Sequence, residues 1–198
     1  MSFKKQKYVV VKKAITKDLA FFIYNYFLLK KQVAKTLFES THISPFETMF
    51  GVWTDAQVPN TYSHYADVVM ETLLLKVQPI VEKQTGLKLS PNYSYARSYK
   101  KGDILKRHKD RFSCEISTTM NLGGDLWSIY LEDVKVNLKP GDMLIYKGNE
   151  LEHWRDEFKG EECTQVFLHY NNVKTKNSNK NIYDSRPHLG LPVSFKRS

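Results

Sequence analysis

The sequence is poor in cysteine, with two in 198 residues, Cys114 and Cys163. Two thiols make no disulfide framework, so the chain is expected to fold without covalent staples in a reducing, cytoplasmic compartment. It has no apolar run approaching the roughly 18 residues that a membrane span needs. The opening Met-Ser-Phe-Lys-Lys-Gln-Lys carries no apolar stretch of the secretory-signal kind. Acids are absent from residues 1–17, which hold six lysines, and scarce in residues 171–198, where six Lys or Arg face one Asp. Of the formal +9, the two ends therefore carry +6 and +5, and the stretch between them −2. Such ends read either as solvated, mobile termini or as arms for nucleic acid or another polyanion. There is no internal repeat and no aromatic–basic motif of a nucleic-acid reader.

What remains is an ordinary globular composition, 41% hydrophobic and 26% charged, with enough chain for one well-cored domain. An aromatic share of 13%, including 12 Tyr, suggests a core with polar handles. Tyr8–Val11 is a short β-type run. Thr16 is a candidate N-cap with Asp18 in the first turn. From Asp18 to Glu39 apolar residues recur three and four apart (Leu19, Phe22, Ile23, Tyr26, Phe27), which predicts an amphipathic helix that packs on a core. Residues 40–60 form a long loop with Pro45, Gly51 and Pro59. Its Phe46, Phe50 and Trp53 either cover a pocket or pack onto the helices. A second helix is expected over Ser63–Thr85, kinked at Pro79 and stopped by Gly86.

After Pro91 the pattern shortens. Tyr93–Tyr99, Asp103–His108, Ser113–Asn121, Trp127–Glu132, Val134–Leu138, Asp142–Tyr146 and Cys163–Tyr170 read as strands separated by Gly-containing turns. Helices followed by many short strands predict an α+β fold built on a sandwich or jelly roll. Helical support is assigned to residues 16–90 and the β core to 91–172, in one domain spanning 1–172. Residues 173–198, rich in Asn, Lys and Ser, are expected to form a basic, poorly ordered tail.

Tyr99–Arg111 carries the chemistry. His108 and Asp110 are two residues apart, and in a strand positions i and i+2 share a face. His153, beyond Lys139-Pro-Gly-Asp142 and a return strand, can join them. Two imidazoles and one carboxylate with positions left open form the facial ligand set of a non-haem Fe(II) oxygenase. A zinc site would favour Cys and a closed tetrahedral set.

The order and spacing of these pieces extend the match. Tyr99, His108-Lys-Asp110, Ser117-Thr-Thr-Met-Asn-Leu-Gly-Gly124, Lys139-Pro-Gly-Asp142, His153 and Gln165-Val-Phe-Leu-His-Tyr170 follow in sequence. Residues 93–170 thereby resemble the Fe(II)/2-oxoglutarate-dependent dioxygenases, especially the prolyl-4-hydroxylase-like branch. The resemblance implies a double-stranded β-helix, or jelly-roll, core with supporting N-terminal helices. It implies that His108, Asp110 and His153 hold Fe(II), that 2-oxoglutarate and O2 complete the site, and that ascorbate serves as reductant. It further implies hydroxylation of a peptidyl residue such as proline, or of a small molecule, with 2-oxoglutarate converted to succinate and CO2. Tyr99 and Thr118 match positions that contact the cosubstrate.

One expected piece is missing. Such enzymes place an Arg or Lys nine to eleven residues after the second His, to hold the far carboxylate of 2-oxoglutarate. Here Glu162, Cys163 and Thr164 stand there. A buried carboxylate needs a charged or multiply hydrogen-bonded partner. Arg155, two after His153, and Gln165 are the leading candidates, followed by Arg97; Arg155 can equally pair with Asp156 or Glu157. Arg111 can meet substrate or stabilise its loop, and His169 is expected in the pocket wall. Two other readings stay open: a non-catalytic metal-binding jelly roll, and an oxygenase that acts on nucleic acid through the basic ends.

Overall fold

A computed structural model describes residues 3–44 and 46–196. Two antiparallel sheets are backed by two long helices. In chain order, a short helix α1 (Phe3–Gln6) leads into β1 (Tyr8–Val11), the long helix α2 (Lys17–Glu39), β2 (Tyr62–Tyr65) and helix α3 (Val68–Thr85). The strands β3 (Leu89–Lys100), β4 (Leu105–His108), β5 (Ile116–Gly124), β6 (Ile129–Leu131), β7 (Val134–Val136), β8 (Met143–Tyr146), β9 (His153–Arg155) and β10 (Glu162–Asn172) follow. The major sheet has the order β1-β8-β5-β10-β3-β2, and the minor sheet β4-β9-β6-β7.

The helices form for local reasons. The Thr16 hydroxyl accepts from the Leu19 N–H at 3.2 Å, which caps α2. Ala20, Ile23, Phe27 and Ala34 turn one face of that helix inward. The Asp67 carboxylate accepts from the N–H groups of Val69 and Met70 and caps α3. That helix continues through Pro79 and ends on Gly86, whose φ of 71° suits a residue without Cβ. The expected start at Ser63 is therefore corrected: Ser63 lies in β2, paired with β3, and the helix begins after Asp67. Ser63–Tyr65 lie opposite a long strand, and that pairing outweighs a weak local helix signal.

Both helices contribute to a core against one face of the major sheet. Met70, Leu74, Val77 and Val81 cluster there with Ile116, Met120, Ile145, Val166 and Leu168. The alternate residues of the same strands face the other way, where Leu144 and Tyr146 cluster with Ile129, Leu131, Val136 and Leu138 of and beside the minor sheet. Each major-sheet strand thus presents one row to the helices and one to the minor sheet.

Residues 173–196 correct a second expectation. They wrap back over the domain through turns at Ser178–Ser185 and Val193–Phe195. Arg186 is buried, and its Nη2 meets Glu71 Oε1 on α3 at 2.7 Å. Asp184, also buried, accepts from Tyr65 Oη at 2.7 Å and pairs with Lys196 at 2.6 Å. Two charged anchors hold a segment whose composition alone suggests mobility. The N-terminal basic stretch is likewise tied down, with Lys7 on Glu150 and Lys12 on Asp142, each at 2.9 Å. Among the described residues, no helix is long and apolar enough to cross a membrane.

Candidate metal and cosubstrate site

β4 and β9 pair so that His108 lies opposite His153. Asp110 follows in the loop two residues after β4 and is held there by its N–H donating to Gly148 O at 2.8 Å. A Cβ at Gly148 would collide with the Asp110 carboxylate and the Ser117 hydroxyl, so glycine lets the two segments approach. The result is one convergent set: ligand atoms of His108, Asp110 and His153 all lie within 4.8 Å of one another. Asp110 Oδ1 stands 3.8 Å from His108 Nε2 and 3.6 Å from His153 Nε2.

The surroundings prepare these atoms. His108 Nδ1 lies 2.7 Å from Lys106 O and His153 Nδ1 3.2 Å from Leu151 O. A ring nitrogen facing a carbonyl carries its proton there, which leaves each Nε2 lone pair for a cation. The second carboxylate oxygen, Asp110 Oδ2, accepts from Ser117 Oγ at 2.6 Å. Burial opposes ionisation of Asp110, but His153 outweighs it, aided by His169 and Ser117, and the carboxyl stays well below its usual range. Burial, and then the neighbouring His153, lower His108 in turn. Two imidazoles with their Nε2 atoms turned toward one carboxylate, on one side of a cleft, suit a divalent metal with positions left open.

The cleft has a volume of about 350 Å³ and is walled by Tyr93, Tyr95, Arg97, Arg111, Phe167 and His169, among others. Register explains why. On β3 the odd positions from Tyr93 to Tyr99, and on β10 Phe167 and His169, lie on the face opposite the helices. On β5 the same face carries Ser117, Thr119 and Asn121. Thr119 pairs with Leu144 and Phe167, whereas Thr118 pairs with Ile145 and Leu168 of the helix-side core. The expectation for Thr118 is therefore corrected by one residue: its side chain lies on the helix side, and Thr119 takes the inner place.

Arg155 lies on the same strand as His153, beside the cleft. It is 1% exposed, and its register partner Leu105 lines the cleft. Its Nη1 donates to Trp127 O at 2.5 Å and its Nη2 to Thr119 Oγ1 at 3.4 Å, while its Nε is buried with no partner. Among the described residues no carboxylate is within ion-pair distance of it, so the alternative pairing with Asp156 or Glu157 does not form. Thr119 Oγ1 also donates to Gln165 Oε1 at 3.3 Å, and Gln165 Nε2 reaches Cys163 Sγ at 3.1 Å. Tyr99 is buried beside Trp127, ring centroids 4.8 Å apart. Arg155, Thr119 and Gln165 thus form one connected group, with Tyr99 packed on Trp127 beside it. Arg97 does not belong to it in charge. Its Nη2 already meets Asp55 at 2.8 Å, and its Nη1 donates to Tyr99 Oη at 3.1 Å. Arg111 is likewise matched, by Asp184 at 3.1 Å.

Several site residues have no sequence signal of their own. Asp55 and Gln57 come from the 40–60 loop, and Gln57 Nε2 lies 3.0 Å from His108 Nε2. The loop's aromatic residues do not cover the cleft: Phe50 and Trp53 pack on the core and Phe46 is 91% exposed. Ser117, Thr119 and Gly148 were hidden because their roles depend on strand parity and on close approach. His169 is in the wall, as expected, with its Nδ1 3.1 Å from Ser117 Oγ and its ring against Tyr93. Both cysteines are buried and unpaired.

No family model matches the chain. No curated protein matches it in sequence. Solved structures do match in fold. The viral collagen prolyl hydroxylase of Paramecium bursaria Chlorella virus-1, in its 2-oxoglutarate complex, superposes with a TM-score of 0.59 at 11% identity, covering 84% of this chain and 97% of that one. A prolyl-4-hydroxylase of Pseudomonas putida gives 0.59 at 14% identity, over 86% of this chain and 95% of its own. Iron-bound EctD from S. alaskensis gives 0.63 at 15% identity, over 100% and 85%. At these identities the likeness is one of fold, shared with the two prolyl hydroxylases and with EctD.

Proposed function

We propose that the protein is an Fe(II)- and 2-oxoglutarate-dependent oxygenase with a jelly-roll core closed as a double-stranded β-helix. His108, Asp110 and His153 hold the metal, and Ser117 orients Asp110. The observation that carries the reading beyond a bare metal site is Arg155, a buried guanidinium with no acid beside it, on the same strand as His153. An unpaired buried cation is costly unless an anion joins it. The distal carboxylate of 2-oxoglutarate is the anion that such a site needs, with Thr119 and Gln165 as neutral partners and Tyr99 in the adjoining wall. Arg155 thereby replaces the base absent from β10, where Cys163 is too small and uncharged to do that work.

Metal and cosubstrate together supply oxidative decarboxylation of 2-oxoglutarate to succinate and CO2, coupled to oxidation of a bound substrate. The chain's part is to bind and orient. Leu105, Ile129, Tyr146, Tyr93, Tyr95, Phe167 and His169 line the cleft and would shape it for the prime substrate. Hydroxylation of a peptidyl residue, proline among them, or of a small molecule fits a mixed aromatic and polar cleft of this size. Ascorbate as reductant and a cytoplasmic location accompany this reading.

Succinate formation from 2-oxoglutarate with Fe(II) and O2, abolished in His108→Ala, tests it. Mn(II)-dependent binding of N-oxalylglycine by calorimetry is the companion measurement. Metal binding without any binding of N-oxalylglycine would instead make the protein a metal-binding jelly roll with no cosubstrate.

A further inference from the structure

Arg111 follows the metal-binding carboxylate Asp110 directly, and both line the same cleft. A guanidinium on a flexible stem beside an ionised carboxylate would pair with it and compete with a cation for the same oxygens. It does not do so here. Its Nη2 lies 3.1 Å from both oxygens of Asp184, and its guanidinium packs over the Tyr93 ring at 4.9 Å. Asp184 comes from the C-terminal segment, 73 residues away in sequence.

The segment is built to deliver that carboxylate. Tyr183, Asp184 and Ser185 have φ of 54°, 55° and 65°, three successive residues in the left-handed region without a glycine. Side-chain residues adopt this region at a cost, and rarely in succession. The conformation persists because both sides are fixed. Arg186 is buried on Glu71, with further bonds to Leu191 O and Asn92 O. Asp184 itself is held by Tyr65 Oη and Lys196 Nζ.

We propose that the C-terminal strap is a working part of the metal site, in which Asp184 is a positioning residue that parks Arg111 on the cleft wall and keeps it off Asp110. This rests on the reading of His108, Asp110 and His153 as metal ligands. The strap acts on the metal through Arg111 alone, so loss of Asp184 is harmful only while Arg111 is present.

Calorimetric titration with Mn(II), without cosubstrate, tests this on the full chain. Asp184→Asn is expected to weaken Mn(II) binding about tenfold, the scale of a lost supporting contact around a metal ligand. Arg111→Ala in the Asp184→Asn background is expected to restore it, because the freed cation is gone. Tyr65→Phe removes another bond to Asp184 and leaves the Arg111 pair, so it is expected to lower the melting temperature without changing Mn(II) affinity. Unchanged affinity in Asp184→Asn overturns the proposal. So does a double variant as weak as Asp184→Asn, since the strap would then act through the fold. Failure of the unsubstituted protein to bind Mn(II) would instead refute the metal site itself.

Discussion

Replacing Arg155 by methionine removes a charge while keeping much of the side chain's length and bulk. Two effects of opposite sign follow from its surroundings. The guanidinium is 1% exposed, has no acid partner among the described residues and leaves Nε without an acceptor. Burial lowers its pKa as a direct sign of that cost. A buried ion carries an effective penalty of several kcal/mol, only partly offset by the Trp127 carbonyl and ring. Arg155→Met is therefore expected to melt at the same temperature as the parent or above it. Cosubstrate binding goes the other way. Truncating one member of a buried, hydrogen-bonded charge pair costs about 2–5 kcal/mol. At about 1.4 kcal/mol per tenfold, this weakens N-oxalylglycine binding by about 30-fold to several thousandfold. Calorimetry with Mn(II) present measures that loss. Thermal denaturation gives a second view: ligand at about 100 times its Kd stabilises the parent by about 2.7 kcal/mol, a shift the variant should lack. A variant that binds N-oxalylglycine normally, or whose ligand-free form melts well below the parent, would refute the assignment.

Four further outcomes follow. Thr119→Val removes a hydroxyl bonded to Arg155 and Gln165, and is expected to weaken N-oxalylglycine binding by about 1–3 kcal/mol in a calorimetric comparison. Thr118→Val, on the other face with an unpartnered buried hydroxyl, should leave that affinity unchanged and match or raise the urea midpoint. Glu71→Gln leaves the Arg186 cation buried without its counter-charge, which should lower unfolding free energy by about 3–5 kcal/mol; the double Glu71→Met, Arg186→Met should be milder than the single change. Stability of the metal-free protein should also fall with acid. Burial holds His64 low, so the unfolded chain takes up that proton first as pH drops below about 6.5. Burial opposes ionisation of Asp67, but His64 and Lys30 hold its pKa well down; Asp184 is held low by Lys196 and Tyr65 against the same burial. Stability from these two is present above about 4 and drains away as pH falls through their depressed values. Urea midpoints rising between pH 7 and 4 would contradict the sign for His64, and midpoints rising as pH falls below about 4 the signs for the two carboxylates.

The parts legible in the sequence are those with local rules. Thr16, Gly86 and the apolar spacing of residues 18–39 announce helix ends and faces, and the alternation after Pro91 announces strands. His108 and Asp110 at i and i+2 before a later His gave the convergent cluster, although Asp110 lies in a loop and reaches the site through Gly148. Where a position came from the resemblance alone, as Thr118 did, it slipped by one residue. β5 starts at Ile116 after a tight turn at Phe112–Cys114, and Thr118 and Thr119 are adjacent residues of opposite face, so an error of one residue exchanges their sides. Partners distant in sequence gave no signal. Asp55 reaches Arg97 across 42 residues, and Arg186 reaches Glu71 across 115, so a tail of Asn, Lys and Ser gave no hint of either anchor.

That last distance has a consequence for synthesis. Glu71 sits at 1% exposure on the inner side of α3, and its countercharge emerges 115 residues later. At about 5–20 residues per second, the ribosome delivers Arg186 roughly 6–23 s after Glu71. Throughout that interval, docking the helix would bury the Glu71 side chain without its countercharge. Docking of α3 on the sheet is therefore disfavoured until Arg186 has been made.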